Sequence, residues 1–309
     1  MRILVAGEAL IDFIPIPGET GAYTAAPGGS PLNVAVGLAR LGVATGFLGR
    51  LSRDAFGDRL RDHLAANDVD VGGVLAGDGP TTLAFVIVRE DEEPAYAFYA
   101  DGTADRMLLP DDLPPTLPEE IEALHVGSYA LAVEPIGGAL EVLGERERGR
   151  RILSLDPNVR PALVGDRATY ERRLEAWIER CDVIKLSRSD AAWCWPDRDA
   201  TELATGWIEQ GAGLVVVTGG AGPVVAFSPA ARVEVAMNRV EVVDTVGAGD
   251  AFTAGLLCRL AETDRLDRGA LARLDREGLR DLVGFASRVA ALTCGRRGAD
   301  PPRRDAVPD

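Results

Sequence analysis

Short apolar runs alternate with amphipathic stretches along most of this chain. Runs of about four to eight apolar residues between turn residues are typical of buried strands, and apolar positions at a helical spacing are typical of amphipathic helices. The runs predict strands at 2–7, 43–49, 122–127, 151–155, 182–186 and 213–218. The amphipathic stretches predict helices at 30–41, 54–66, 134–148, 168–180, 199–210, 248–261 and 278–292. Because strands and helices alternate, we expect an α/β protein with a largely parallel sheet.

Two stretches break this alternation. Residues 11–27 carry apolar side chains among prolines and glycines, and residues 81–100 are strand-like on both sides of an acidic turn. We expect a small antiparallel sheet that stands off the main body as a lid, with lid segments at about 11–27 and 72–100. The apolar face of such a sheet must be covered, either by closing over a ligand or by pairing with another subunit.

The remaining segments give simpler predictions. Residues 223–228 and 231–236 predict a hairpin beside the main sheet, and the proline-rich residues 110–120 predict a connection. The tail from Pro301 is expected to be loosely ordered. Ser30 is the predicted N-cap of the first helix, because serine at that position accepts a hydrogen bond from a free backbone N–H.

Charge and composition exclude several classes of protein. The net charge of −15 argues against general binding to nucleic acid or to anionic membranes, so an anionic substrate would need local positive charge. No stretch approaches the ~18 uninterrupted apolar residues of a membrane span, and residues 1–7 look like a strand rather than a signal peptide. The four cysteines have no CxxC spacing and are expected to be reduced thiols. A cytoplasmic location follows as the expectation.

Lysine usage narrows the chemistry further. Lys185 is the only lysine, and Leu186 follows it, so the chain contains no Gly-Lys-Ser/Thr phosphate loop. The arrangement of protein kinases, with a lysine on an early strand, is excluded for the same reason. Any phosphate recognition must therefore use arginines, the backbone, or this single lysine.

The stretch Asp-Thr-Val-Gly-Ala-Gly-Asp-Ala-Phe at 244–252 is the most informative in the chain. A glycine turn that opens a helix presents free backbone N–H groups and the positive end of the helix dipole, which suits a phosphate. A carboxylate in that turn would repel phosphate. It is explained if Asp250 is a base that accepts the proton of a hydroxyl attacking the phosphorus.

Two polar groups in the first part of the chain can hold a ligand. Gly28 and Gly29 allow the backbone to approach a ligand closely, and Asn33 in the first helical turn offers both a donor and an acceptor. A turn followed by a capped helix is the alternative. Asp12 follows the first strand, where a solvated loop aspartate is the alternative.

Three further segments follow predicted strands, at the edge where open α/β sheets bind ligands. In 156–160, Arg160 can pair with phosphate, or the segment is a turn with an exposed arginine. In 185–190, Lys185 can face phosphate and Asp190 can hold waters on Mg²⁺, or Ser187 and Asp190 form a helix cap. The glycine turn in 217–222 can lie under a nucleotide or can make a hairpin.

Taken in order, these motifs resemble the PfkB (ribokinase-like) carbohydrate kinases along nearly the whole chain. The family's C-terminal signature, of the form DTxGAGDxF, matches 244–252, and its N-terminal glycine-rich motif matches 28–42. Within the family the chain is most similar to bacterial fructokinases, through 7–13, 82–85, 103–105, 124–128, 131–135 and 156–161. The resemblance implies one kinase domain over 1–309. It would be a three-layer α/β/α sandwich with a mostly parallel central sheet and a small antiparallel β lid.

The resemblance also implies an activity. The expected reaction transfers the γ-phosphoryl group of ATP to a hydroxyl of a small sugar, and D-fructose is the first candidate for that sugar. Asp250 is the expected general base, and the backbone of residues 247–250, which includes Gly247, Ala248 and Gly249, is the expected anion hole. The expected sugar-binding residues are Asp12, Gly28, Gly29, Asn33, Phe98 and Arg160. The expected nucleotide-binding residues are Asn158, Lys185, Thr218, Gly219, Gly222 and Gly249.

Metal ions and a partner are implied as well. Mg²⁺ is expected, with Asp190 acting through water. K⁺ is expected near Asp244, Thr245 and residues 294–298. A homodimer formed through the lid is the expected assembly.

The identity of the sugar stays open at this stage. Fructokinases often carry an arginine after the Phe-Tyr of the lid, and here Ala100 follows Phe98 and Tyr99. Position 187 is serine where ribokinases carry asparagine, and position 190 is aspartate where relatives often carry glutamate. A 2-keto-3-deoxygluconate kinase, a nucleoside kinase and a non-catalytic sugar-binding regulator of the same fold remain as alternatives.

Overall fold

The computed structural model describes residues 1–16, 18–87, 95–236 and 241–308. The strands in these ranges are β1 (Ile3–Ala6), β2 (Leu10–Pro15), β3 (Tyr23–Gly28), β4 (Thr45–Ser52), β5 (Asp70–Gly77), β6 (Leu83–Ile87), β7 (Ala95–Tyr99), β8 (Ala123–Gly127), β9 (Ile152–Asp156), β10 (Val183–Ser187), β11 (Leu214–Gly219), β12 (Gly222–Phe227) and β13 (Arg232–Val235). The α-helices are α1 (Ser30–Arg40), α2 (Ala55–Ala66), α3 (Ile136–Glu147), α4 (Arg167–Ile178), α5 (Arg188–Cys194), α6 (Ala200–Glu209), α7 (Ala248–Glu262), α8 (Arg268–Ala272) and α9 (Arg276–Cys294).

The larger sheet has the strand order β13-β12-β11-β10-β9-β8-β1-β4-β5 within the described ranges. The pairs from β5 through to β11 are parallel, and β12 and β13 add the predicted antiparallel hairpin at one edge. All the carboxyl ends of the parallel strands therefore lie along one edge of the sheet.

Helices cover both faces of this sheet. In β1, the side chains of Ile3 and Val5 join a core with α1, α2, α7, α8 and α9, whereas Leu4 and Ala6 join a second core with α3 to α6. A strand that is buried on both faces reads as a continuous apolar run, which is why the parallel strands could be predicted from sequence. The predicted three-layer α/β/α sandwich is confirmed.

A smaller sheet has the order β3-β2-β6-β7. It is antiparallel except for the pair β2–β6, which is parallel. One face carries Asp12, Ala84 and Phe98 in register, and the other face carries the rings of Phe13 and Phe85, stacked with centroids 4.7 Å apart. The predicted lid is therefore a separate sheet with aromatic rings on both faces and the carboxylate of Asp12 on one of them.

Three sequence-based expectations need correction. Residues 72–77, which we assigned to the lid, lie in β5 and pair with β4 at the edge of the large sheet. The helices α5 and α8 were not predicted. The tail is anchored rather than loose: Arg40 contacts Asp300 and donates to the Pro301 carbonyl (2.8 Å), and Val307 is buried in the core.

No helix in the described part of the chain is both long enough and apolar enough to cross a membrane.

Candidate active site

The candidate site is a cleft between the lid and the carboxyl edge of the large sheet. Helices α1 and α7 both begin at this cleft, and the loop after β9 forms part of its wall. The lining comes from the lid, from the starts of α1 and α7 and from loops at the edge of the sheet, and it includes Asp12, Asn33, Phe98, Arg160 and Asp250. With Gly29 and Gly247, seven of the residues that the sequence predicted for the site share one cleft.

Asp250 lies in the first turn of α7 and is buried. Its Oδ1 accepts hydrogen bonds from Ser30 Oγ (2.6 Å) and Asn158 Nδ2 (3.1 Å), and its Oδ2 accepts one from Asn33 Nδ2 (2.8 Å). Three donors around one carboxylate fix its direction. The carboxylate is therefore held ready to accept a proton from a group in the cleft.

Two residues beside Asp250 have partners that the sequence did not predict. Ser30 is not the N-cap of α1, because Gly29 holds that position at φ 100°, and the Ser30 hydroxyl bonds Asp250 instead. The amide nitrogen of Asn158 bonds Ser30 Oγ (2.9 Å) and Asp250, and its contact with the nucleotide stays a prediction. Both residues therefore support the proposed base.

The turn before α7 has the geometry of an anion site. Gly247 is in the left-handed conformation at φ 74°, and α7 starts at Ala248. The Ala248 N–H donates to the Thr245 carbonyl (3.2 Å), while those of Gly247, Gly249 and Asp250 have no acceptor among the described residues. The predicted anion hole is thus reduced to three N–H groups, without that of Ala248.

A buried ion pair lies beneath this turn. Lys185 Nζ bonds Asp156 Oδ2 at 2.9 Å, and Thr253 Oγ1 donates to the same oxygen at 3.0 Å. Burial acts to lower the pKa of Lys185, but the carboxylates of Asp156, Asp190 and Asp250 outweigh it, and the net shift is upward. The lysine therefore stays charged, below Gly249 rather than in the open cleft.

One side of the cleft is formed by Asp12, Arg160 and two aromatic rings, those of Tyr96 and Phe98. Burial raises the pKa of Asp12 to about 7, with Arg160 opposing the shift and Asp250 adding to it. Arg160 Nη1 donates to Asn158 Oδ1 (2.6 Å), and its guanidinium lies 5.9 Å from the centroid of the Tyr96 ring. A side chain at Gly28 would overlap the Asp12 carboxylate, with Cβ 2.1 Å from Oδ2.

The predicted nucleotide residues Thr218, Gly219 and Gly222 lie at the turn between β11 and β12, next to α5. This turn is the hairpin that the sequence left open. A Cβ at Gly219 would lie 3.1 Å from Arg188 Nε. Arg188 is exposed and makes no hydrogen bond or ion pair within the described residues, and sequence reasoning did not single it out.

Asp190 forms the helix cap that the sequence offered as an alternative. Its Oδ2 accepts from the backbone N–H of Ser187 (3.1 Å) and from Ser187 Oγ (2.6 Å), while its Oδ1 accepts from the Val159 N–H (2.9 Å). These bonds leave lone pairs for a water but make direct binding to a metal ion unfavourable. No cluster of three or more metal-ligating side chains occurs in the described ranges.

The segments predicted to hold a monovalent cation are brought together. The N–H groups of Val243 and Asp244 donate to the Cys294 carbonyl (2.9 and 3.1 Å). The Asp244 carboxylate accepts from the N–H groups of Val246 (3.0 Å) and Gly298 (2.8 Å). The loop after α9 is thus bonded to the segment that leads into Thr245 and the anion site.

Comparison with known proteins agrees with this geometry. A model of the pfkB family carbohydrate kinases matches residues 1–306. A fructokinase of Rhizobium leguminosarum bv. trifolii is 39% identical over 281 residues, which cover 90% of this chain and 86% of that protein.

Solved structures give the same result. A fructokinase of Xylella fastidiosa with bound ATP superposes with a TM-score of 0.87 at 33% identity, covering 99% of this chain and 95% of that one. A fructokinase of Vibrio cholerae O395 with fructose, ADP and calcium bound superposes with a TM-score of 0.83 at 29% identity, covering 96% and 94%. The chain belongs to the PfkB family of carbohydrate kinases.

Proposed function

We propose that this protein is an ATP-dependent fructokinase, which transfers the γ-phosphoryl group of ATP to a hydroxyl of D-fructose. The observation that carries the proposal is the position of Asp250, between an anion-binding turn and a polar cleft under a lid. Similarity to fructokinases over nearly the whole chain, including structures with ATP and with fructose bound, supports this choice of substrates.

The proposed reaction is an in-line displacement. The sugar hydroxyl oxygen attacks the γ-phosphorus as its proton passes to Asp250, and ADP leaves with the electrons of the broken P–O bond. The N–H groups of Gly247, Gly249 and Asp250 face the charge that develops on the transferred group. The bonds from Ser30, Asn33 and Asn158 keep the carboxylate aimed at the hydroxyl.

The sugar would lie between Asp12, Asn33 and Arg160, against Gly28 and Gly29 and under Phe98. The nucleotide would lie along the turn of Thr218, Gly219 and Gly222. On a chain with net charge −15, the exposed guanidinium of Arg188 would offset phosphate charge, whereas Lys185 would act from beneath Gly249, within its ion pair with Asp156. We therefore add Arg188 to the proposed nucleotide side of the site.

Two metal ions belong to the proposal. Mg²⁺ would be held by the phosphates and, through water, by Asp190, and when bound it neutralises phosphate charge. K⁺ would lie near Asp244, Thr245 and the loop after α9, where backbone carbonyls supply hard oxygen ligands. Replacing K⁺ by tetramethylammonium should lower the rate, and an unchanged rate would remove the K⁺ site from the proposal.

A homodimer formed through the lid is the proposed assembly. The outer face of the lid exposes Tyr23 (44%), Ile87 (39%) and Tyr99 (65%) around the ring of Phe85. Contiguous exposed apolar patches on a protein surface often mark sites of protein–protein contact. Light scattering should give a dimer for the wild type and a monomer for Tyr99→Glu; a monomeric wild type would contradict the proposal. The single domain over 1–309 and the cytoplasmic location stay predictions.

The test of the activity is ADP release with a panel of acceptors: fructose, 2-keto-3-deoxygluconate, ribose, adenosine and tagatose. Fructose should give the highest kcat/KM. A ketodeoxygluconate kinase needs a basic group for the substrate's carboxylate, and Arg106 is the arginine near Ala100. Arg106 donates to the Ala100 carbonyl (2.9 Å) and pairs with Asp101 (3.4 Å), which disfavours that substrate. A higher kcat/KM for another acceptor would refute the fructokinase assignment, and sugar binding without turnover would favour the regulator.

A further inference from the structure

Glu8 is a buried carboxyl group on the floor of the cleft that the reaction proposed above does not use. It follows β1, is only 1% exposed, and lines the cleft with Asp12, Ser128 and Tyr129. Its Oε2 accepts a hydrogen bond from the Ala130 N–H at 3.2 Å, but its Oε1 has no partner within the described residues. A buried polar atom without a partner costs free energy unless a ligand or a water completes it.

No basic side chain pairs with Glu8 in the described part of the chain. Its charged neighbour is a second buried carboxyl group, Asp105, which accepts hydrogen bonds from Tyr129 Oη and from Thr82 Oγ1 (2.6 Å). Burial raises the pKa of Glu8 to about 8; hydrogen bonds from Ser128 and the backbone oppose the shift, and Asp105 adds to it. At neutral pH Glu8 is therefore mainly a neutral acid, which can both donate and accept.

We propose that the free Oε1 of Glu8 hydrogen-bonds a hydroxyl group of the bound sugar, which makes Glu8 a specificity-determining residue. This inference rests on the proposed sugar kinase activity and adds a contact on the floor of the cleft. A sugar hydroxyl matches a neutral carboxyl group, because each can donate and accept. A substrate without that hydroxyl leaves Oε1 unpaired, and sites of this kind discriminate strongly against such analogues.

The same contact gives a pH dependence with a defined sign. The groups that face Glu8 are Asp105 and Tyr129 below it, and Asp12, Arg160 and Asp250 across the cleft. The neutral form predominates below a pH of about 8 and is lost as the pH rises through that value. Donation from Glu8 to the sugar is therefore lost above pH 8, and the KM for fructose should rise there.

The experiment measures kcat/KM for fructose and for each monodeoxyfructose that keeps the phosphorylated hydroxyl, in three forms of the protein. These are the wild type, Glu8→Met, which keeps the length but makes no hydrogen bond, and Glu8→Gln, which keeps hydrogen bonding but does not titrate. Glu120→Gln, at an exposed glutamate whose side chain has no hydrogen bond or ion pair among the described residues, is the control for changing a surface carboxyl group. The Tm of each variant and its KM for ATP report folding and the nucleotide site.

In the wild type, one deoxy sugar should lose roughly 5- to 100-fold in kcat/KM relative to fructose, the factor for a buried polar group that is left unpaired. Glu8→Met should lose a similar factor with fructose, with the ATP KM unchanged, and should show no further loss with that one deoxy sugar. Glu120→Gln should behave as the wild type. If kcat/KM of Glu8→Met falls by the same further factor with every deoxy sugar, relative to fructose, the Glu8 contact is overturned. The proposed fructokinase activity would still stand.

Two other outcomes decide the remaining cases. If Glu8→Met does not fold, Glu8→Gln serves: the fructose KM of the wild type should rise above pH 8 and that of Glu8→Gln should stay flat, and identical profiles would overturn the proposal. A wild type that phosphorylates none of these sugars would overturn the proposed function, and the Glu8 contact with it.

Discussion

The substitution Asp250→Asn tests the proposed base with the smallest change in shape. The side chain keeps its size, but it loses its charge and exchanges one acceptor oxygen for an NH₂ donor. That donor must face Asn33 Nδ2 on one side, or Ser30 Oγ and Asn158 Nδ2 on the other, all of which donate to the present carboxylate. The amide of Asn33 can rotate to present its oxygen. We therefore expect the new NH₂ group at position 250 to donate to Asn33 Oδ1 in the variant.

Two separate effects follow from this geometry. The loss of a general base lowers kcat by about 10²- to 10⁴-fold. The loss of one charge-assisted hydrogen bond on a buried group lowers the free energy of unfolding by ~1–3 kcal/mol if no flip occurs, and by less if it does. Because the sugar contacts at Asp12 and Arg160 are untouched, the affinity for fructose should change far less than kcat.

The assay is ADP release at saturating fructose and ATP, with fructose affinity measured by calorimetry and folding by thermal denaturation. Glu262→Gln is the matched control, since it removes one carboxylate at the exposed far end of α7, where Glu262 pairs with Arg259 and Arg304. A kcat within a few-fold of the wild type for Asp250→Asn would refute the assignment. A fall in fructose affinity as large as the fall in kcat would make Asp250 a binding residue.

Three further predictions concern neighbouring residues. Gly247→Ala places a Cβ 2.5 Å from the Cβ of Ala299 at φ 74°, so kcat should fall at least about tenfold. Gly206→Ala is the control, because no atom lies within 4 Å of its added Cβ, and it should keep full activity. Equal activities of the two variants would contradict the tight turn. Lys185→Met leaves Asp156 buried and unpaired and should lower the free energy of unfolding by ~3–5 kcal/mol; the loss should shrink in the double variant with Asp156→Asn, and urea denaturation that shows no loss would be evidence against the pair. The pKa of Asp12 is raised to about 7, so its carboxylate predominates above that pH and is lost below it. The kcat/KM for fructose should therefore fall as the pH drops through 7, and Asp12→Asn should not show this fall. The same fall in the variant would assign the titration to another group.

Much of the architecture could be predicted from local patterns. Apolar runs at 122–127, 151–155 and 213–218 correspond to β8, β9 and β11, because strands buried on both faces need continuous apolar sequence. β5 was missed, since Gly72 and Gly73 interrupt it and its side chains are only partly buried at the edge of the sheet. Edge strands lack the strong pattern that burial on both faces imposes.

The candidate site shows the same division. Gly247, Gly249 and Asp250 could be assigned from sequence, because the turn and the base are adjacent in the chain. The partners of Asp250 could not: Ser30 is 220 positions away and Asn158 is 92 away. Ser30 looked like a helix cap, and only the approach of α1 to α7 turns its hydroxyl toward a carboxylate.

By itself the sequence determined most strands of the main sheet and that a glycine turn opens α7 with an aspartate in it, and it left Lys185 as the one lysine that could face phosphate. Only the tertiary structure decided that Lys185 is neutralised by Asp156 beneath that turn, and that Glu8 carries a free oxygen on the cleft floor. The physical reason is the distance along the chain over which each kind of interaction acts. Periodicity and turn chemistry act between neighbours in the chain, whereas burial, ion pairing and pKa depend on which strands the sheet order places side by side.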